Sequence, residues 1–380
     1  LQKLHCQGKG KNVTSAIAMP FWFYMKKKVV ISLSLGIVLS FAALYFSFKN
    51  VPFDELRSYM GAIDRFWVAI SVLIVVLCFV LRAWRWQIIV GSTRKIGFRQ
   101  AFHPMMIGFM INCILPGRVG EVARPVILQK NERIPFSTGL ATVAAERIFD
   151  FIFLIIFFAL VLTKIEIDPD LDMVFGKFHL NRGTLISVGM GMGQLSIILI
   201  AGIVILTIEK SRRLVKKLIE SIPAMLFWAG PAVGKKIRLR ICTPLSEFVD
   251  HLSDGFELLK HPGKIGVCLG LSSLIWGLAA FSYYTMSLGC PGITLSFLEI
   301  SAVMIIICFF IALPSVPGFW GLWEAGGIFA LTLFGISTSH AAGYTLANHA
   351  VQMFPVILIG LGSAVTTGIN IMKVSYGKEG

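Results

Sequence analysis

The residues most able to do chemistry fall in two matched sets. Glu146, Arg147 and Asp150 stand at i, i+1, i+4, and Asn348, His349 and Gln352 repeat that spacing in the second half of the chain. Each trio follows a broken apolar run. The first break reads Leu115-Pro116-Gly117-Arg118-Val119-Gly120-Glu121, with Arg124 just beyond. The second reads Leu313-Pro314, then Pro317-Gly318-Phe319-Trp320-Gly321, then Glu324. Arginine forks match phosphate oxygens, so Arg118 and Arg124 are the candidate phosphate contacts. Glu121, Glu146 and Asp150 would orient them, or accept an amine or a proton. Gly117 and Gly120 would let backbone N–H groups approach an anion. This is the chemistry of holding a charged headgroup. No H-E-x-x-H, nucleophile elbow or metal-ligand spacing accompanies it, and no cofactor is implied.

The elements that position these residues are apolar helices. The run Phe151–Leu162 is too short to cross a bilayer, which takes roughly 20 helical residues, so its helix must include the turn with Glu146, Arg147 and Asp150. Charges at that depth cost roughly 2.5–3.5 kcal/mol each, up to about 10 kcal/mol for an unpaired trio. Partners must exist. Arg147 reaches Asp150 at i, i+3, and the other candidates are Arg118, Glu121 and Arg124. Two readings follow: a self-neutralising cluster that pins hairpin to helix, or a polar cavity for a lipid headgroup. In the second set Trp320 and Trp323 bracket the turn, by packing or by stacking on a ligand. His349 reads as a helix contact or a proton carrier. Broken segments in corresponding halves are the pattern of a transporter site at the membrane midplane.

The chain is 56% hydrophobic and 14% charged, with a mean hydropathy of +0.78, which excludes a soluble globular domain. Apolar spans are expected at 29–48, 66–81, 140–163, 184–208, 264–287 and 296–313, with one inside 340–369. The stretch 318–335 is either a short span or half of a re-entrant hairpin. The expected fold class is therefore all-α: a polytopic membrane bundle of roughly seven or eight crossings, with two broken elements in two related halves.

A net charge of +15 would point to nucleic acid in a soluble protein. Here it lies in particular loops, which places the N-terminus and the 209–263 loop on the cytoplasmic side and the acidic Asp168, Asp170 and Asp172 outside. The expected organisation is a non-native or disordered extension over 1–24, since Met25 before three lysines makes a natural beginning. A single membrane domain follows over 25–372, then a short tail over 373–380. Residues 49–65 read as a polar link and 101–136 as a re-entrant element. Residues 245–259 read as an amphipathic helix lying on the membrane or against the bundle. Arg82 and Arg85, among tryptophans at a helix end, read as interface anchors. The seven cysteines read as small apolar fillers.

The order Arg82-Ala-Trp-Arg85-Trp86, Asn112, Leu115 to Glu121, Arg124, Glu146-Arg147, Asp150, Leu313-Pro314, Pro317-Gly318, Gly321 and Glu324 resembles the lysylphosphatidylglycerol synthase transmembrane (flippase-like) family over almost all of 25–372. The resemblance implies a bacterial inner-membrane protein, not an enzyme, that moves an anionic or aminoacylated phospholipid or a polyprenyl phosphate-linked lipid between leaflets. Membrane lipids would be its partners, with no nucleic acid, alongside a homo-oligomer or an envelope-biosynthesis partner. Lipid lysylation is not implied. His349 stands where many relatives are expected to carry arginine. Transport would be downhill or coupled to an ion gradient, with Glu121, Glu146 or Asp150 carrying protons. The alternatives are a membrane-embedded enzyme acting on lipid phosphates and a non-catalytic subunit of a glycan-assembly complex.

Overall fold

The computed structural model describes residues 38, 41–45, 47–49, 51–115, 118–164, 172–175, 178–181, 183, 187, 190, 194, 197, 201, 208–225, 237–312 and 317–369. The expectations for Pro116, Gly117 and Pro314, for residues 1–24 and 373–380, and for most of the 29–48 and 184–208 spans lie outside these residues.

The described elements are almost all helical. The helices are α1 (Phe53–Ala62), α2 (Arg65–Val90), α3 (Phe98–Ile114), α4 (Val119–Glu132), α5 (Phe136–Lys164) and α6 (Glu209–Met225), then α7 (Thr243–Gly255), α8 (Pro262–Leu288), α9 (Phe297–Ala312), α10 (Leu322–Leu333) and α11 (Thr338–Thr367). One antiparallel hairpin, β1 (Asp172–Phe175) with β2 (Phe178–Asn181), pairs Asp172 with Asn181. The fold class is that of a polytopic helical membrane protein.

Among the described residues, two four-helix units of matching length stand out. Helices α2 to α5 have 26, 17, 14 and 29 residues; α8 to α11 have 27, 16, 12 and 30. In each unit a long apolar helix leads into a broken hairpin and then into a second long helix. α2 packs along α8, and its contacts fix the direction. The Asp64 N–H bonds the Gly289 carbonyl, Ser71 Oγ the Ser282 carbonyl, Cys78 Sγ the Ile275 carbonyl and Arg85 the Ser272 hydroxyl. Partners descend in α8 as they ascend in α2, so the equivalent helices run antiparallel, as in an inverted repeat. The hairpins cross over: α3 packs on α11 and α9 on α5. The largest cluster of buried apolar side chains joins α9, α10 and α11 to α2 and α8.

Helices α2, α8 and α11 are long and apolar enough to cross a membrane. α9 is apolar but shorter, and α5 carries its charges in its own middle. Two expectations are corrected. Residues 49–65 are not a simple link, because α1 forms there and buries Tyr59 where Gly343 of α11 leaves room for the ring. The 245–259 segment is not one helix: α7 ends at Gly255 and a 3-10 turn covers Glu257–Lys260. Val249 and Phe256 are buried, and α7 packs against α5, the bundle-facing alternative.

The first hairpin closes through two glycines. A Cβ on Gly120 would collide with the Gly108 carbonyl oxygen, so only glycine permits this approach. The Asn112 side chain accepts the Gly120 N–H at 2.7 Å, satisfying a donor at the start of α4. Both hairpins hold residues in left-handed conformations at their tips: Arg118 at φ 54° and Phe319 at φ 61°, beside Gly318 and Gly321.

Candidate functional site

The tips of the two hairpins meet. Arg118 donates from Nη2 to the Ile311 carbonyl at 2.8 Å, across the two units, and lies over the Phe319 ring at 5.9 Å. Beneath them is a cavity of about 300 Å³, at the small end of the range for ligand sites. Asn112, Arg118, Glu121, Arg147 and Asp150 line it from the first unit, and Gly318, Phe319, Trp323, His349 and Gln352 from the second. Arg82 joins them from α2. Phe79, Phe109, Phe151, Trp276, Tyr283 and Met304 supply an apolar wall.

Behind the polar wall lies a dense ionic network. Asp150 meets Arg85 at 2.8 Å, Arg147 at 3.3 Å and Arg82 at 3.5 Å. Glu146 meets Arg124 at 2.5 Å, Arg147 at 3.2 Å and Arg85 at 3.4 Å. Glu121 approaches Arg147 at 3.9 Å. Burial on this scale tolerates charges only when they are paired. Five arginines (82, 85, 118, 124, 147) face three carboxylates (121, 146, 150), leaving the cluster net positive by two charges among the described residues. On the cavity lining, three arginines face two carboxylates. Arg118 makes no ion pair among the described residues.

The second unit builds a different polar contact at the equivalent place. Glu324 Oε2 accepts the Gly321 N–H at 2.7 Å, and its Oε1 lies 2.6 Å from His349 Nδ1. His349 Nε2 lies 2.8 Å from the Gly318 carbonyl oxygen. The ring stacks on Trp323 at 4.5 Å and 5° and lies against Trp320 at 4.5 Å. Glu121 and Glu324 each stand third in the helix that follows a tip, and Arg147 and His349 each stand second in their spaced trios, so the two Glu–base contacts occupy matching places in the two units.

The chain matches the lysylphosphatidylglycerol synthase TM region family over residues 33–360. It belongs to that family. It is also 22% identical over 367 residues to "Glycosyltransferase AglD" of Haloferax volcanii, a match covering 90% of this chain and 55% of that protein. The chain thus spans about half the length of the curated relative it matches. No solved structure matches it.

Within this family member, the site residues separate by depth. Arg118, Glu121, Arg147, Asp150, His349 and Gln352 reach the cavity. Arg124 does not: it is buried under the Trp86 ring at 4.2 Å and pairs with Glu146, so it is a counter-ion and not the expected phosphate contact. Glu146, Glu324 and Asn348 are also fully buried and off the lining. Of the hairpin residues, Gly120 and Gly321 hold tight backbone, Gly318 lines the cavity, and Pro317 opens the second tip's 3-10 turn.

The anchor reading of Arg82 and Arg85 is overturned. Arg85 is fully buried between Asp150, Glu146 and the Ser272 hydroxyl, and Arg82 lies over the Trp276 ring at 5.5 Å facing the cavity. A signal for this existed. Ser71, Cys78 and Arg85 recur every seven residues, which puts all three on one helix face, and that face is the one turned to α8.

Proposed function

We propose that the protein moves a lipid with an anionic headgroup between the leaflets of a bacterial inner membrane. One observation carries this reading: two broken hairpins from oppositely running halves meet over a cavity with surplus arginine charge and an aromatic wall. Arg118, with no carboxylate within ion-pair distance among the described residues, would take the headgroup phosphate. Arg82 and Arg147 would add field, held in place by Asp150. The Trp323 indole N–H is buried without an acceptor among the described residues and would donate to a headgroup oxygen. The apolar wall would accept the start of the acyl or prenyl chains while the rest stays in lipid.

The test is a leaflet-resolved assay in proteoliposomes with anionic, aminoacylated and polyprenyl-phosphate probes. Protein-dependent equilibration of at least one probe, lost in Arg118→Gln, is the expected result; no acceleration for any of them overturns the reading. The similarity to a protein named a glycosyltransferase favours a second reading, in which this membrane part serves glycan transfer onto a lipid. Glycosylated lipid product in the same vesicles supplied with sugar donors would favour that alternative.

A further inference from the structure

The contacts of His349 do not balance without an extra proton. Its Nε2 faces the Gly318 carbonyl oxygen at 2.8 Å, and a carbonyl only accepts, so this nitrogen carries hydrogen. In a neutral ring Nδ1 would then present a bare lone pair to the Glu324 carboxylate at 2.6 Å. Both side chains are almost wholly buried, so water does not relieve that repulsion. A proton must sit on the pair, on the imidazole or on the carboxyl.

The internal repeat says why this matters. The equivalent contact in the first unit is Glu121 with Arg147, whose base is permanently charged. The second unit sets its glutamate against a base that exchanges its proton, closer and more deeply buried. The charged groups across the same cavity are Arg82, Arg118, Glu121, Arg147 and Asp150. The titratable groups that reach this cavity from the neighbouring helices are Tyr283, Cys113 and Cys308. Asp150 is tied to three arginines and Glu121 lies against Arg147, which leaves Glu324 with His349 as the carboxylate contact beside the cavity, among the described residues, whose base can lose its charge.

We propose that Glu324 and His349 form a single proton-binding site, and that loss of its proton unfastens the 317–321 turn that roofs the cavity. Glu324 holds the Gly321 N–H and His349 holds the Gly318 carbonyl, so the pair ties both ends of that turn to α10 and α11. Without the proton one of these ties breaks, and Gly318 and Phe319, which line the cavity, are released. The proposal rests on the transport reading only in making this proton the coupled ion; the earlier expectation placed proton carriage on Glu121, Glu146 or Asp150.

Two substitutions keep the turn fastened while removing the exchange. In Glu324→Gln the amide oxygen accepts the Gly321 N–H, its NH2 donates to Nδ1, and a neutral His349 donates to Gly318. His349→Arg copies the permanent charge of the first unit. The experiment is a pH titration of ring-15N-histidine protein in detergent, with His349 assigned by its absence in His349→Arg, together with tryptophan emission reporting Trp320 and Trp323. The wild-type His349 signals should move with pH as one proton leaves, with a matching emission change. In Glu324→Gln the signals should stay still, and the emission change should vanish in both variants. A wild-type signal that does not titrate, or variants whose emission follows pH as the wild type does, would overturn the proposal. Neither measurement needs a lipid probe, so failure here is separable from failure of the leaflet assay.

Discussion

Arg85 and Arg118 define two kinds of arginine in one cluster. Arg85 sits between two buried carboxylates with a serine hydroxyl on its other nitrogen. Removing it leaves Glu146, which is fully buried, and Asp150, which is nearly so, short of a cation. Arg85→Ala should therefore cost about 3–5 kcal/mol of stability, read as a large fall in melting temperature in detergent. Arg118 is exposed and bonded to one carbonyl. Arg118→Gln should leave melting nearly unchanged yet weaken lipid handling roughly tenfold or more, since a charge-assisted contact is worth about 1.5–3 kcal/mol. Equal losses of stability in both variants would contradict this division. The sequence identified the trio of Glu146, Arg147 and Asp150 as needing partners, because hydrocarbon forbids bare charge. It did not show that Arg85 answers the need, because that pairing joins α2 to α5 across 65 positions of chain.

At the scale of elements, the hairpins depend on backbone approach. Gly120 has no room for a methyl group against Gly108 and Asn112. Gly120→Ala should push α3 from α4 and cost about 1–3 kcal/mol by overpacking, visible in the melting temperature. At the second tip Gly318 adopts φ +64° with the Met353 sulfur close by. Gly318→Ala should cost about 1–2 kcal/mol from left-handed strain alone and also weaken the tie to His349. A wild-type melting temperature in either variant would mean that the tips have room for a methyl group. These breaks were legible as Gly and Pro punctuation within apolar runs. Which glycine touches which backbone was not, since composition reports a turn without its neighbour.

For the whole molecule, the antiparallel pairing of α2 with α8 brings both tips to one cavity, and native cysteines report on it. Cys113 and Cys308 line the cavity, whereas Cys78 and Cys268 are buried elsewhere. A small water-soluble methanethiosulfonate reagent should modify Cys113 and Cys308 in the folded protein and spare the other two, as read by peptide mass spectrometry. Bound anionic lipid should slow that reaction. If the two lining cysteines react only after unfolding, water does not enter and the headgroup site is excluded.

Sequence alone determined the membrane class, the long apolar helices, the two broken turns and the repeated polar spacing. Each of these follows from the solvent a segment must satisfy along its own axis, and hydropathy and Gly/Pro placement record that directly. Only the tertiary structure decided which charges face the cavity. Arg124 and Glu146 turned inward, Arg82 and Arg85 came into the cluster from α2, and Glu324 met His349 in place of open space. The rotation of each helix about its axis is set by side-chain fit between segments far apart in the chain, and no local pattern encodes it.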